Sequence, residues 1–285
     1  MTIELPAPRP VGGSTRVAGI IGWPVRHSLS PVMHNAAFAA RDLDVVYLAF
    51  PVPAGQAAAA LDAARLFGLL GLSVTMPHKS DVATLVDHPS PLVNALAAAN
   101  TVVFRDDGTT AGESTDGGGF VDSLRLDHGI EPRDLAVAVI GAGGAARSVV
   151  LALAEAGSRE VVVVNRTIAA AETAAALAPA IARVGRTGDV AAADMIVHAT
   201  PLGMGESTEL PLDPRLLRPG QVVADLVYHP QRTPLLLAAS ERGCRIVDGL
   251  GMLVHQGARQ FTSWTGVEAP RDVMRAAAEA SLAGP

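Results

Sequence analysis

Residues 135–147 read LAVAVIGAGGAAR, in which an apolar run leads directly into a glycine-rich turn. Leu135 to Ile140 has the composition of a buried strand, and residues 145–156 are expected to form a helix. The turn matches G-x-G-x-x-A, in which Gly141 permits the tight turn and Gly143 lets a phosphate approach the backbone. The segment therefore predicts a dinucleotide site, with the helix N-terminus offering N–H groups to the phosphates.

The strand that follows, Glu160 to Asn165, indicates which dinucleotide is bound. A domain that prefers NAD usually ends this strand with Asp or Glu for the ribose hydroxyls, but this chain continues Asn165-Arg166-Thr167. A guanidinium pairs with a 2′-phosphate, which a 2′-hydroxyl cannot replace. We therefore expect NADP, with NAD also usable. The alternative is that Arg166 is an ordinary solvated residue.

Short β-branched runs alternate with Ala-rich segments along the chain, a pattern typical of α/β proteins with parallel sheets. The predicted strands are 16–22, 45–50, 71–76, 99–104, 135–140, 160–165, 195–199, 222–226 and 245–247. The predicted helices are 31–41, 54–67, 120–128, 145–156, one from Thr233 to Gly243, and 250–282 with a break at 266–270. We expect a Rossmann domain over 116–248 and a second domain from 1–115 and 249–285.

The composition excludes several classes of protein. The 285 residues are 49% hydrophobic and 18% charged, which excludes a disordered chain. A net charge of −6 disfavours nucleic acid as a partner. The single cysteine, Cys244, cannot form an internal disulfide, and no apolar run is long enough to span a membrane. We expect a cytoplasmic protein with a small-molecule substrate and no nucleic-acid or membrane partner; a homodimer is left open.

Three polar clusters lie in apolar surroundings in the N-terminal half. Ser28 and Ser30 stand on a loop before a helix and could donate hydrogen bonds to a carboxylate, although they could also cap the helix. Lys79 follows a predicted strand and a proline, and its alternative is a solvated surface charge. Asp116 lies in a glycine-bounded loop, where by itself it would be a turn residue or a helix cap.

Taken together, these clusters resemble the shikimate dehydrogenase family. The matching blocks occur in collinear order over about residues 17–265. They are 22–35 (GWPVRHSLSPVMHN), 73–79 (SVTMPHK), 99–102 (ANTV), 112–117 (GESTDG), 141–147 (GAGGAAR), 165–167 (NRT), 199–204 (ATPLGM), 228–235 (YHPQRTPL) and 248–256 (DGLGMLVHQ).

The resemblance implies reversible reduction of 3-dehydroshikimate to shikimate with NADPH, in aromatic amino-acid biosynthesis and without a metal. It implies a Rossmann domain plus a smaller α/β substrate domain split between the N-terminal segment and the C-terminal helices. The implied catalytic pair is Lys79 and Asp116, and the resemblance leaves open which of them transfers the proton. The implied substrate residues are Ser28, Ser30, Thr75, Asn100, Asp116, Tyr228 and Gln256. The implied cofactor residues are Gly141, Ala142, Gly143, Gly144, Ala145, Asn165, Arg166, Thr167, Thr200, Gly249 and Met252.

The chain departs from the family pattern at four places. Ser73, Ser114 and His198 stand where the family usually has Asn, and residues 168–171 supply no second base near the expected 2′-phosphate. The two serines leave room for a relative of shikimate, so a quinate or aminoshikimate-type dehydrogenase using NAD or NADP is an alternative. A non-catalytic nucleotide-binding module is a second alternative, which the presence of both Lys79 and Asp116 disfavours.

Overall fold

The computed structural model describes residues 3, 5–7 and 9–283, and the chain divides into two compact units. The first unit contains the residues up to Thr115 and those from Gln256 onward, and the second contains Asp116–His255. Each unit is built on its own six-stranded sheet. Among the described residues, no helix has the length and apolar character that a membrane span requires.

The N-terminal part of the first unit alternates strands with short helices. Its elements are β1 (Arg16–Gly22), α1 (Ser30–Ala40), β2 (Val45–Pro51), α2 (Ala57–Leu66), β3 (Gly71–Val74), α3 (Lys79–Leu85), β4 (His88–Pro89), α4 (Pro91–Leu96), β5 (Thr101–Phe104) and β6 (Thr110–Glu113). The sheet order is β2-β1-β3-β5-β6-β4. All paired strands are parallel except that β5 is antiparallel to both neighbours.

The second unit is a doubly wound parallel sheet. Its elements are α5 (Asp116–Asp122), continued by a π-helical turn (Ser123–Asp127), β7 (Ala136–Ile140), α6 (Gly144–Glu155), β8 (Glu160–Val164), α7 (Ile168–Ala175), β9 (Ala182–Val184), β10 (Met195–His198), β11 (Val222–Asp225), α8 (Pro234–Glu241) and β12 (Arg245–Val247). Read as β9-β8-β7-β10-β11-β12, the order is the 3-2-1-4-5-6 arrangement of the Rossmann fold. The fold prediction is therefore confirmed.

Two helices complete the chain. They are α9 (Gly249–Thr265), whose residues from Gln256 onward belong to the first unit, and α10 (Arg271–Ala283), which packs on α1. The side chain of Trp264 on α9 donates a hydrogen bond to the Val102 carbonyl at 3.0 Å. Its ring lies so close to β3 that a Cβ at Gly71 would overlap it. This contact seats the second half of α9 on the first sheet.

The predicted helix over 120–128 starts too late, because α5 begins at Asp116 and includes the three glycines that follow it. The physical reason is close packing, since a Cβ at Gly117 would lie 2.3 Å from the Ser148 carbonyl oxygen of α6. Gly117 therefore lies inside the helix and permits the close contact between α5 and α6. The sequence reasoning also missed β4, β6, β9, α3, α4 and α7, each of which has eight residues or fewer.

Candidate functional site

In the first unit, the polar residues identified from the sequence gather at one edge of the sheet. β1 and β3 run parallel and end at this edge, whereas β5 is antiparallel to β3 and begins there. The segments at these strand ends carry Ser28 and Ser30 after β1, Thr75 and Lys79 after β3, and Asn100 before β5, with Ser30 and Lys79 as the first residues of α1 and α3. We call this the polar edge of the first unit.

The two serines flank the start of α1. The helix begins at Ser30, and its N-cap residue, Leu29, makes no side-chain cap. The Ser28 hydroxyl oxygen accepts a hydrogen bond from the Ser30 backbone N–H at 3.2 Å. A hydroxyl that accepts a hydrogen bond keeps its own hydrogen for another acceptor. The bond to the Ser30 backbone thus uses only the oxygen of the Ser28 hydroxyl. Donation from this hydroxyl to a substrate carboxylate remains a prediction.

Neighbouring strands hold the backbone around Thr75 and Lys79. The Thr75 N–H donates to the Ile21 carbonyl at 3.0 Å, and the Lys79 carbonyl accepts from the Ala99 N–H at 2.9 Å. A Cβ at Gly22 would lie 2.3 Å from the Thr75 methyl carbon, so glycine is needed where these two loops meet. Lys79, the first residue of α3, is half-buried. A long cation on a fixed backbone is thereby placed at the polar edge.

Asn100 and Gln256, both predicted to bind substrate, are brought together in the structure. The Thr115 N–H donates to Asn100 Oδ1 at 2.8 Å, which sets the orientation of this amide. Asn100 Nδ2 donates to Thr115 Oγ1 at 2.9 Å and to Gln256 Oε1 at 3.4 Å. The next residue, Asp116, is buried and opens α5 in the second unit. The substrate and catalytic roles of these residues stay predictions.

In the second unit, the glycine turn leaves open space beside the backbone at the start of α6. Gly141 has φ +122°, and a Cβ there would lie 2.9 Å from the Ala199 carbonyl oxygen. At Gly143, the N-cap of α6, a Cβ would meet nothing within 4 Å. Because a glycine N-cap has no side chain, the first N–H groups of α6 keep their capacity for an anion. Ala142, Gly144 and Ala145 in the same turn are partly exposed.

The residues after β8 lie beside this turn, because β8 pairs with β7. Asn165 Nδ2 donates to the Thr167 carbonyl at 3.0 Å, which closes the loop before α7. Arg166 is exposed and makes no ion pair with the residues that the structure describes. The arrangement suits recognition of a 2′-phosphate, and equally a solvated arginine.

The remaining predicted cofactor residues follow the strands on the other side of β7. The strand order reverses between β7 and β10, the switch point at which open α/β sheets bind ligands. Thr200 follows β10, Tyr228 follows β11, and Gly249 follows β12. A Cβ at Gly249 would lie 2.5 Å from the Leu226 carbonyl oxygen, so the start of α9 packs directly on the loop after β11. Met252 on α9 is buried. Tyr228 is also largely buried, and its own burial raises the pKa of its hydroxyl.

A buried hydrogen-bonded group joins the ends of β10 and β11. His198 Nδ1 donates to Asp225 Oδ1 at 2.9 Å, and His198 Nε2 accepts from the Thr200 hydroxyl at 2.5 Å. Asp225 also accepts from the Val227 N–H at 3.0 Å and from the Thr233 hydroxyl at 2.7 Å. The sequence identified His198 only as a departure from a family pattern, and it did not identify Asp225. Pairing of these two residues depends on the register of two strands.

Sequence reasoning also missed Tyr47 and Gln260, which lie in the interior behind the polar edge and contact Ser73. Ser73 was identified only as a departure from the family pattern. One available signal was the spacing of Gln260, since residues four apart share a helix face and Gln256 was already selected. Tyr47 had no such signal, because a tyrosine in an apolar strand is usually a core residue.

Comparisons with known protein families match both units. The model described as the shikimate dehydrogenase substrate binding domain matches residues 20–102. The shikimate / quinate 5-dehydrogenase model matches residues 128–201, and the shikimate 5′-dehydrogenase C-terminal domain model matches residues 249–279.

Individual relatives are similar over nearly the whole chain. A shikimate dehydrogenase (NADP(+)) of Moorella thermoacetica is 46% identical, over 96% of this chain and 98% of its own. A crystal structure of a shikimate dehydrogenase in complex with NADP+ has a TM-score of 0.90 and 35% identity, covering 97% of this chain and 99% of that one. Shikimate 5-dehydrogenase from Thermus thermophilus, in complex with NADP(H) and shikimate, has a TM-score of 0.87 and 34% identity, covering 94% and 100%. The chain belongs to the shikimate dehydrogenase family.

Proposed function

We propose that this chain catalyses the reversible, NADP-dependent oxidation of shikimate to 3-dehydroshikimate. The observation that carries the proposal is the polar edge of the first unit, where hydroxyl, amide and ammonium groups gather at the ends of three strands. The same chain is 46% identical to a shikimate dehydrogenase (NADP(+)) over nearly its full length. These groups suit a polyhydroxylated carboxylic acid, and the cation suits a proton transfer at one of its hydroxyls.

In this proposal, the substrate is held at two ends. Ser28 and Ser30 donate hydrogen bonds to the carboxylate, for which charge-assisted bonds are strong. Thr75, Asn100 and Gln256 bind ring hydroxyls, with Tyr228 as a further substrate residue. Binding at both ends orients one ring carbon for reaction, which is how substrate positioning contributes to rate.

Lys79 is the proposed acid–base group, acting with Asp116. During oxidation, Lys79 acts as the neutral amine and takes the proton of the substrate C–OH, becoming an ammonium, while the C–H hydrogen leaves as a hydride to the cofactor. During reduction, Lys79 returns the proton to the alkoxide oxygen that develops from the carbonyl. A fixed cation also stabilises the negative charge on that oxygen.

NADP, when bound, supplies the hydride acceptor. The N–H groups that follow Gly143 bind its pyrophosphate, and Arg166 binds the 2′-phosphate, with Asn165 and Thr167 shaping the loop. Thr200, Gly249 and Met252 lie along the nicotinamide end. The open glycine turn and the exposed guanidinium support this assignment.

Quinate is the second candidate substrate, because the family model that matches residues 128–201 covers shikimate and quinate enzymes. Steady-state assays with shikimate, quinate and aminoshikimate, each with NADP+ and NAD+, decide between them. We expect the highest kcat/KM with shikimate and NADP+. A higher value with quinate would reassign the substrate, and NADP binding without turnover of any of the three would identify a non-catalytic module.

A homodimer and a cytoplasmic location are further parts of the proposal. Light scattering coupled to size-exclusion chromatography measures the mass directly, and a value near the 29.2 kDa of one chain would exclude the dimer. Fractionation of the source cells tests the location, and recovery of the protein outside the cytoplasmic fraction would contradict it.

A further inference from the structure

We propose that Tyr47, Ser73 and Gln260 form a buried hydrogen-bonded chain that positions Asn100, one of the proposed substrate residues. In this proposal, which rests on the proposed function, Ser73 is a positioning residue that makes no contact with the substrate. We call these three side chains the hydroxyl–amide chain. It lies behind the polar edge and within the first unit.

Hydrogen bonds join the three side chains one after another. The Tyr47 hydroxyl donates to Ser73 Oγ at 2.6 Å, and Ser73 Oγ donates to Gln260 Oε1 at 2.6 Å. Tyr47 and Gln260 are each 1% exposed and Ser73 is 4% exposed. At this depth, a polar atom without a partner would carry a large desolvation cost, so each bond matters to its neighbours.

One backbone group, the Asn100 carbonyl, fixes the direction of both bonds in the hydroxyl–amide chain. Gln260 Nε2 donates to the Asn100 carbonyl at 3.1 Å, and a carbonyl can only accept, so Oε1 must face Ser73. Ser73 therefore donates to Gln260. Because Ser73 has one hydrogen, Tyr47 must donate to Ser73. Ser73 thus spends its only hydrogen inside the protein and has none to give to a ligand.

At the other end of the hydroxyl–amide chain, the Tyr47 hydroxyl is a suitable hydrogen-bond donor to Ser73. Burial raises the pKa of its hydroxyl above the ordinary value of 10.0, so the group keeps its proton at physiological pH. Its ring stacks on the His34 ring, with centroids 4.5 Å apart and planes 14° apart. The position of the hydroxyl is therefore held by ring packing as well as by the bond to Ser73.

One end of the hydroxyl–amide chain reaches a residue assigned to the substrate. Gln260 Nε2 donates to the Asn100 carbonyl and to Thr101 Oγ1, each at 3.1 Å. The Thr101 hydroxyl in turn donates to Asn100 Oδ1 at 2.8 Å. Asn100 is thus held at both its backbone carbonyl and its side-chain oxygen by groups that depend on Gln260.

Ser73→Ala tests the middle of the hydroxyl–amide chain, because it removes both the acceptor of the Tyr47 hydrogen bond and the donor to Gln260. We expect the KM for shikimate to rise about two- to tenfold, the effect of one neutral hydrogen bond. The KM for NADP+ should change less than twofold, since its proposed residues lie in the second unit. Ser73→Thr keeps the hydroxyl and should restore the KM for shikimate. Ser281→Ala, which changes an exposed serine of α10, is the matched control.

A double variant separates positioning from contact. If Ser73 acts through Asn100, Ser73→Ala raises the KM for shikimate in the wild-type protein but much less in an Asn100→Ala background. If Ser73 touches the substrate itself, the factor is the same in both backgrounds, and this result would overturn the proposal.

Tyr47→Phe gives an independent measurement should Ser73→Ala fold poorly, because it removes one oxygen and keeps the ring. We expect the same selective rise in the KM for shikimate. In the double variant Tyr47→Phe/Ser73→Ala, the combined effect on this KM should be less than additive. An unchanged KM for shikimate in a folded Tyr47→Phe or Ser73→Ala protein would contradict the inference. A wild-type protein without activity on shikimate would instead contradict the proposed function.

Discussion

At the scale of single residues, Lys79 carries the proposed chemistry. Lys79→Met keeps the apolar stem and removes the charge at the first residue of α3. We expect kcat to fall by roughly 10²–10⁴-fold, the usual loss for an acid–base group, while the KM for shikimate changes much less. Steady-state kinetics in both directions measure this effect. A variant that retains more than a tenth of the wild-type kcat would return Lys79 to a surface role.

Arg166 tests the cofactor assignment at the same scale. One charge-assisted bond is worth about 1.5–3 kcal/mol, which corresponds to roughly ten- to hundredfold preference for NADP over NAD. Because residues 168–171 contribute no second base, we expect the lower half of this range. Arg166→Asp should reverse the preference, since a carboxylate repels the phosphate and can accept from a ribose hydroxyl. The test compares the ratio of kcat/KM values for NADP+ and NAD+ between the wild type and Arg166→Asp. An unchanged ratio would show that Arg166 is a solvated side chain.

At the scale of elements, the ends of β10 and β11 depend on a single buried pair. His198 and Asp225 have no exposed side-chain surface, and they face each other in the parallel register. His198→Leu removes a hydrogen bond to a buried carboxylate, for which we expect a loss of about 1.5–3 kcal/mol in the free energy of unfolding. Urea unfolding followed by far-ultraviolet circular dichroism measures it.

The control for this variant is Leu237→Ala, on the exposed side of α8. It should cost much less than His198→Leu, because the leucine is half exposed. A loss below about 1 kcal/mol for His198→Leu would show that water or neighbouring groups replace the pair.

At the scale of the whole molecule, one buried imidazole links folding of the first unit to pH. Burial lowers the pKa of His34 from 6.5 to about 3. Between these two values, the unfolded chain binds a proton that the folded chain does not, so stability falls as the pH falls from 6.5 toward 3. Above pH 6.5, neither state binds this proton and His34 adds no pH dependence.

His34→Phe removes the titrating group and keeps a ring against Tyr47 and Trp264. We expect the slope of the free energy of unfolding against pH to decrease by up to about 1.4 kcal/mol per pH unit between pH 6.5 and 3. Between pH 6.5 and 5 the difference amounts to about 2 kcal/mol. Urea titrations followed by tryptophan fluorescence report on the first unit, which contains both tryptophans. His27→Phe, at an exposed histidine, should leave the slope unchanged. Equal slopes for wild type and His34→Phe would rule out this contribution.

Long apolar patterns were the part of the fold that the sequence could predict. The bounds of β1 and β12 agree with the prediction, and the Rossmann alternation was recognisable because each strand and its helix carry their own hydrophobic period. Strands such as β4, β6 and β9 were missed because two to four residues without a strongly apolar sequence show no period. Strand β6, with the sequence TAGE, forms because β5 and β4 pair with it.

Motif and spacing were sufficient to select the glycine turn, Arg166, the serines and Lys79 as candidates, and the family resemblance added the two amides; their roles stay predictions. These could be identified because motif and spacing are local properties of a chain. The direction of each hydrogen bond, and the partners of Ser73, His198 and Asp225, became known only from the folded arrangement. This is because a buried side chain bonds to whichever groups the packed strands and helices bring to it. Tyr47 and Gln260 are 213 residues apart in the chain, and both bond to Ser73.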